Sequence, residues 1–192
     1  MVKRLIIGMS GASGAPLTVE LLQRLKEDYP EVERHLIVTR GAEMTLLQET
    51  RISLKKLEGL ADICYSNYNI GAAPASGSFR AMGMIVVPCS MKTVAGIASG
   101  YSDNLLLRAA DVTLKEHRKL VLVARESPLS TIHLRNLTEL SRIGAIILPP
   151  MLSYYNHPKS IEDCTKHIVN RMLAQFGLEK KYQEWEGMDE SV

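Results

Sequence analysis

The chain has 192 residues, 46% of them hydrophobic and 23% charged, with a formal net charge of +2. That is long enough to bury roughly 70% of the unfolded surface in one core, and too nearly neutral for nucleic-acid or membrane binding driven by bulk charge. Any anion site must therefore be a local cluster, and no run approaches the roughly 18 apolar residues of a membrane span.

Short apolar runs alternate with longer amphipathic stretches. A strand over residues 5–10 leads through "IIGMSGASGAP" into a helix over about 15–28. A second strand at 35–39 is followed by helical material to about residue 60. The segment 71–83, "GAAPASGSFRAMG", is rich in Gly, Pro and Ser and reads as a loop over a site. A strand at 84–88 runs into "CSMKT", another spans 120–125, and a helix follows over about 129–142. A short strand at 145–149 and a helix over 161–176 complete the pattern, ahead of a polar tail around Trp185. Apolar strands separated by helices predict an α/β fold, with a parallel sheet covered on both faces. No repeat or low-complexity linker interrupts the pattern, so residues 1–192 are expected to form a single domain, with 178–192 as a C-terminal tail. Cys64, Cys89 and Cys164 are scattered and odd in number, which fits free thiols in a reducing compartment. The apolar run near Met1 is too short for a secretory signal. The expectation is a cytoplasmic protein.

Ligands of such a sheet bind outside the carboxyl ends of its strands. The first strand delivers Ser10, Gly11, Ala12 and Ser13 there, and the second ends at Thr39. The next gives Cys89, Ser90, Lys92 and Thr93, and the one after it Arg125 and Glu126. Hydroxyls, backbone amides at helix starts and two cations suit one phosphate better than a pyrophosphate. The glycines follow G-x-x-G-x-x-G, not the dinucleotide fingerprint, and no Lys-Ser/Thr completes a P-loop. Thr39 stands where a dinucleotide site usually has an acid for the ribose. These features favour flavin mononucleotide (FMN), which lacks the adenosine half, over NAD. The plainer reading of the first loop is a tight strand-to-helix turn that needs glycine and nothing more.

Three further sets have equally plain readings. Arg108 and Lys115, seven residues apart, share one helix face, and alone they read as solvated surface. Arg171, on an otherwise apolar helix, reads as a snorkelling arginine. Tyr154 and Tyr155 read as packing at a core edge. The sequence offers no carboxylate cluster for a metal.

Taken together, "GMSGASGAP", "PASGSF", "PCSMKT", "RAADVTLKEHRKLVLVARESPLSTIHL", "GAIILPP" and "YYNHP" resemble the flavin prenyltransferase family. These are the UbiX-like proteins long labelled phenylacrylic or aromatic acid decarboxylases, and the match covers nearly the whole chain. The resemblance implies a flavodoxin-like three-layer sandwich, a homo-dodecamer and binding of reduced FMN. It implies transfer of a dimethylallyl group from dimethylallyl phosphate to the flavin, closing a fourth ring. The prenylated FMN then serves a separate decarboxylase acting on α,β-unsaturated or aromatic acids.

Carried over by motif, the flavin site would comprise Gly11, Ala12, Ser13, Thr39, Ser90, Met91, Lys92, Thr93 and Arg125. The family often has serine where this chain has Thr39, and the hydroxyl survives the change. The prenyl-phosphate site would comprise Ser76, Gly77, Arg108, Lys115, Arg125, Tyr155 and Arg171. Glu126 would handle the proton, Glu49 and Ser13 would act beside it, and Trp185 would lie against the prenyl group. The residue types suit the reaction. Cations can stabilise a departing phosphate without Mg²⁺, an aromatic face can stabilise an allylic cation away from water, and a carboxylate can take the proton as a ring closes.

Two rivals stand beside this reading. Flavin-dependent cysteine decarboxylases share the fold, but carry "PASANT" where this chain reads "PASGSF". They also use a histidine near the first helix, where this chain has Ala15-Pro16-Leu17. His35, His117, His133 and His157 read as surface or packing residues. The other rival is a non-catalytic flavin carrier that docks onto a decarboxylase.

Overall fold

The computed structural model describes residues 2–180 and Gly187. β1 (Lys3–Met9) is followed by α1 (Ala15–Asp28), β2 (Val32–Val38), α2 (Arg40–Thr50), α3 (Leu54–Glu58) and β3 (Ile63–Ser66). A long segment, helical only in a 3₁₀ turn at Ala73–Ala75, leads to β4 (Gly83–Cys89), α4 (Met91–Ala98) and α5 (Leu105–Lys115). β5 (Lys119–Ala124), α6 (Thr131–Arg142), β6 (Ile146–Ile147) and α7 (Ile161–Ala174) complete the described elements. All strand pairs are parallel, in the order β3-β2-β1-β4-β5-β6.

The apolar runs follow from coverage on both faces. In β4 all seven residues are buried, because a central parallel strand meets helices above and below. Along β1 the side chains alternate between two cores. Leu5, Ile7 and Met9 pack with Leu21, Leu22 and Leu25 of α1 and Val169, Met172 and Leu173 of α7. Ile6 faces the other core, with Val94 of α4, Leu106 and Ala110 of α5, and Leu140 of α6. Gly8 admits α5 closely: a Cβ there would stand 3.1 Å from Leu106 Cδ1. The result is a flavodoxin-like α/β sandwich.

Three elements differ from the sequence expectation. β3 is a short edge strand whose residues are mostly exposed, so it carries no apolar run to announce it. The helical stretch to residue 60 is two helices, broken where Arg51 turns left-handed at φ 58°. The last strand is only Ile146–Ile147.

Chain order reverses at β1, whose neighbours are β2 on one side and β4 on the other. A crevice opens at such a switch point beyond the carboxyl ends. The buried Ser10 closes its floor. Its hydroxyl donates to the Pro88 carbonyl at 3.0 Å and accepts from the Ser90 amide at 2.8 Å.

At the opposite end of β4, Gly83 has φ 154°, and a Cβ there would lie 2.2 Å from the Lys119 carbonyl oxygen. Gly83→Ala must push β4 from β5 and strain its own backbone. The expected loss is about 2–5 kcal/mol, read as a lowered urea midpoint at constant m value.

Candidate functional site

The crevice holds a cavity of about 610 Å³ lined by Ser10, Gly11, Thr39, Arg40, Gly41, Asn67, Tyr68, Ser90, Lys92, Thr93, Tyr101 and Asn104, among others. Its chemistry comes from helix ends. Thr39, Ser90 and Asn104 are the N-caps of α2, α4 and α5, and their side chains accept from the Ala42, Thr93 and Leu107 amides. All three line the cavity, so three positive helix ends meet at one place, with the first amides of α2 and α4 beside them. Arg40 and Lys92 add two cations that make no ion pair among the described residues. Asp103 is the cavity's carboxylate, and its Oδ1 accepts from Asn104 Nδ2 at 2.8 Å.

Close backbone contact makes this arrangement possible. A Cβ on Gly11 would stand 3.0 Å from the carbonyl carbon of Gly41, so only glycine lets the first loop rest on the start of α2. The Thr39 amide reaches back to the Met9 carbonyl at 3.0 Å, tying the ends of β1 and β2 together. Of the sequence-expected flavin residues, Gly11, Thr39, Ser90, Lys92 and Thr93 line this cavity. Met91 is 8% exposed, with its side chain in the core, so only its backbone can face a ligand. Ala12 and Ser13 lie in the turn that leads to α1.

Arg40, Gly41, Asn67, Tyr68, Tyr101 and Asn104 escaped the sequence reading. Asn104 had a detectable signal, an Asn directly before "LLLRAADV", which is an N-cap pattern. Asn67 follows the unforeseen β3. Its carbonyl and Oδ1 accept from the Leu105 and Leu106 amides at 2.9 and 3.0 Å, so it anchors the start of α5.

The fourth helix end behaves differently. Glu49 Oε2 accepts from the Gly14 and Ala15 amides at 2.9 and 2.8 Å, which closes the start of α1 with the chain's own carboxylate. Burial alone would raise its pKa. The Ser13 hydroxyl, these two amides and the charge of Arg125 outweigh burial and hold the carboxyl below its ordinary 4.5. Ser13, Glu49 and Arg125 thus form one group. The Arg125 amide donates to the Cys89 carbonyl at 3.0 Å, placing it beside the end of β4. Glu126 is exposed, and its Oε1 accepts from the Ser127 amide at 3.0 Å.

The expected prenyl-phosphate residues do not converge within one chain. Tyr155 and Arg171 line a separate cavity of about 420 Å³ with His167, whose ring meets Tyr155 edge-on at 5.7 Å. Burial, then the charge of Arg171, lowers the His167 pKa. Arg108 on α5 pairs with Asp111 at 2.6 Å. Ser76, Gly77 and Lys115 gather at the far end of α5, where Arg118 donates to the Gly77 and Phe79 carbonyls at 2.7 and 2.6 Å. That corner lies at the amino ends of β4 and β5, so the "PASGSF" segment packs against α5 away from the crevice. Trp185 lies outside the described residues.

Other reactive groups are accounted for by packing. Burial pushes the Cys89 thiol far up, which leaves no thiolate at the end of β4. His35 is buried between Tyr65 and Phe79, and burial lowers its pKa. His133 completes a capping box with Ser130. Among the described residues no three His, Cys, Asp or Glu side chains form a metal-binding group, and no helix is long and apolar enough to cross a membrane.

The Glu49 geometry carries a pH signature. Its folded-state pKa is depressed, so its stabilising effect is complete above the unfolded value and is lost as pH falls through the folded one. Glu49→Gln should cost about 1 kcal/mol near pH 7. Melting curves of variant and wild type should converge as the pH is lowered from neutral through the carboxyl's depressed folded-state pKa.

The flavoprotein family model matches residues 2–173. A probable UbiX-like flavin prenyltransferase of Sedimentibacter hydroxybenzoicus is 52% identical over 185 residues, covering 96% of this chain and 97% of that protein. A crystal structure of a dodecameric FMN-dependent UbiX-like decarboxylase from Escherichia coli O157:H7 superposes with a TM-score of 0.93 at 53% identity, covering 96% of this chain and 100% of that one. The structure of AnUbiX (PadA1) in complex with FMN and dimethylallyl pyrophosphate gives a TM-score of 0.94 at 46% identity, covering 98% and 100%. The peptidyl-cysteine decarboxylase EpiD, at 16% identity over 80% of this chain and a TM-score of 0.62, shares the fold alone.

Proposed function

We infer the reaction from kinship and cavity together: the chain belongs to the UbiX-like flavin prenyltransferases, within the flavoprotein family. Its function is to transfer a dimethylallyl group from dimethylallyl phosphate to reduced FMN. One observation carries the cofactor half. Three helix N-caps and two cations with no ion pair among the described residues face a single cavity, and Thr39 stands at the end of β2 where a ribose-binding acid would favour a dinucleotide. A volume of about 610 Å³ lies within the roughly 300–1,000 Å³ range of small-molecule sites. The donor set fits a flavin mononucleotide, with its phosphate near Thr39, Ser90 and Lys92. Bound reduced FMN supplies the electron-rich ring that accepts the allylic group.

The chain's own residues would do the rest. Arg125, Arg171 and Tyr155 from one set of elements, and Arg108, Lys115 and the Ser76–Gly77 backbone from another, would hold the donor phosphate. Cations stabilise that leaving group where charge builds up. Glu126, exposed just beyond the carboxyl end of β5, would take the proton released as the flavin gains a ring. Glu49 is occupied by two amides and fits a supporting role, ordering Ser13 and facing Arg125.

Lys115 sits at the far end of α5, roughly 16 Å along the helix axis from its start, so these two donor sets belong together only across copies of the chain. This supports a homo-oligomer, a homo-dodecamer by analogy with the Escherichia coli relative. The prenylated FMN would leave for a separate decarboxylase, and the free thiols of Cys64, Cys89 and Cys164 suit a cytoplasmic setting. A cysteine decarboxylase is disfavoured because the likeness to EpiD reaches the fold only.

Incubation of the purified protein with reduced FMN and dimethylallyl phosphate under anaerobic conditions should yield a flavin heavier by one prenyl unit. Recovery of unmodified FMN alone would overturn the assignment and favour a carrier. Arg171→Ala and Tyr155→Phe should each raise the donor KM while leaving FMN affinity close to wild type. The expected cost is about 1.5–3 kcal/mol for a lost charge-assisted contact at Arg171, and less for the Tyr155 hydroxyl.

A further inference from the structure

We infer that the Glu116 carboxylate occupies, in the resting chain, the place on Lys115 that the donor phosphate takes during turnover. The inference rests on the reading of Lys115 as a donor-binding cation, and adds what holds that cation beforehand. Lys115 Nζ donates to Glu116 Oε1 at 2.5 Å, and Arg118 Nη2 lies 3.8 Å from Glu116 Oε2. The floor of this notch is Gly77, tied to Arg118 through its carbonyl. A Cβ on Gly77 would stand 2.3 Å from Glu116 Oε1 and 3.0 Å from Lys115 Nζ. Two cations over a glycine floor with one anion between them is the charge pattern of a phosphate site.

The occupant is suited to leaving. The Glu116 side chain is 33% exposed and that of Lys115 46%, and an ion pair this open to water holds weakly. The Lys115 hydrogen bond and charge, with Arg118 behind them, keep the Glu116 carboxyl below its ordinary range, so it is an anion at neutral pH. A phosphate monoester carries nearly twice that charge and more acceptor oxygens, and therefore outcompetes it. A weaker anion would not. On the same helix Arg108 is held by Asp111 in the same manner, so α5 presents both cations already neutralised. Glu116 is thus a residue that sets donor affinity without touching the donor.

The test uses the purified assembly with reduced FMN, comparing wild type, Glu116→Gln and Lys115→Gln. Two constants are measured for each, the KM for dimethylallyl phosphate and the inhibition constant of inorganic phosphate. Glu116→Gln should lower both roughly two- to fivefold, the gain fading at high salt, with FMN affinity unchanged. Lys115→Gln should raise both by about tenfold or more. Constants that stay level or rise in Glu116→Gln overturn the placeholder role. If Lys115→Gln leaves both constants unmoved, the donor reading of Lys115 falls, and the inference falls with it.

Discussion

The buried hydroxyl of Ser10 donates to the carbonyl of Pro88 and accepts from the amide of Ser90, and the geometry of the crevice hangs on that pair of bonds. The pairing of β1 with β4 ends at Gly8 and Val86, just where the two strands must part to open the switch point. Ser10 substitutes for the missing ladder. It sets how far the first loop stands from the start of α4, and therefore where the Ser90 cap points. The Thr39 amide does the same on the other side through Met9. With both neighbours of β1 pinned at their ends, the N-termini of α2 and α4 converge on one cavity. Gly11 against Gly41 removes the last steric obstacle.

An orphaned helix amide needs an acceptor, and the four helix starts around this crevice meet the need in two ways. α2 and α4 use short neutral caps, which satisfy one amide each and leave positive potential for a guest, while the first amides of α5 are shared between Asn104 and Asn67. α1 uses Glu49, whose full charge cancels the dipole and satisfies two amides. The choice separates binding from scaffolding. Where an anion is to arrive, the chain places a hydroxyl or an amide side chain; where none is wanted, it supplies its own carboxylate. Arg40 and Lys92 follow the same logic. Arg4, Arg24, Arg34 and Arg108 all pair with carboxylates, while the two cations in the cavity wall have no such pair among the described residues.

The sequence shows the layered fold and part of the crevice for a physical reason. Strands buried on both faces are continuous apolar runs, and β1, β4 and β5 stand out for that reason. Cavity-lining residues at the strands' carboxyl ends follow directly, so Gly11 after β1, Thr39 after β2 and Ser90 after β4 are legible. β3 is not, because an exposed edge strand has no apolar signature, and with it Asn67 and Tyr68 are lost. Arg40 escapes because a charged residue in a first helical turn looks like surface until the cavity wall is seen. The motif resemblance groups Ser76, Gly77 and Lys115 with Arg108, Arg125, Tyr155 and Arg171, and within one chain Gly77 and Lys115 lie close together while Tyr155 and Arg171 line another cavity. Motifs carry no information about which end of the sheet a loop reaches, however, and the segment 71–82 crosses to the amino ends.

That crossing is held firmly. Phe79 has the Arg4 guanidinium 5.2 Å from its ring centre and the edge of His35 at 5.1 Å. Glu33 joins Arg4 and His35 through contacts of 3.0 and 3.3 Å, and Arg118 fastens the carbonyls on either side of Ser78. The loop cannot swing toward the crevice without breaking two charge-assisted hydrogen bonds and uncovering a buried ring, each worth on the order of 1–3 kcal/mol. A seven-residue strand is roughly 23 Å long, so the crevice and the α5 corner, the two ends proposed to bind anions, stay separated by the length of the sheet. Conformational change within one chain is a costly way to bring them together. Setting one copy's α5 corner against another copy's crevice achieves the same end with both parts rigid, and this favours assembly over closure.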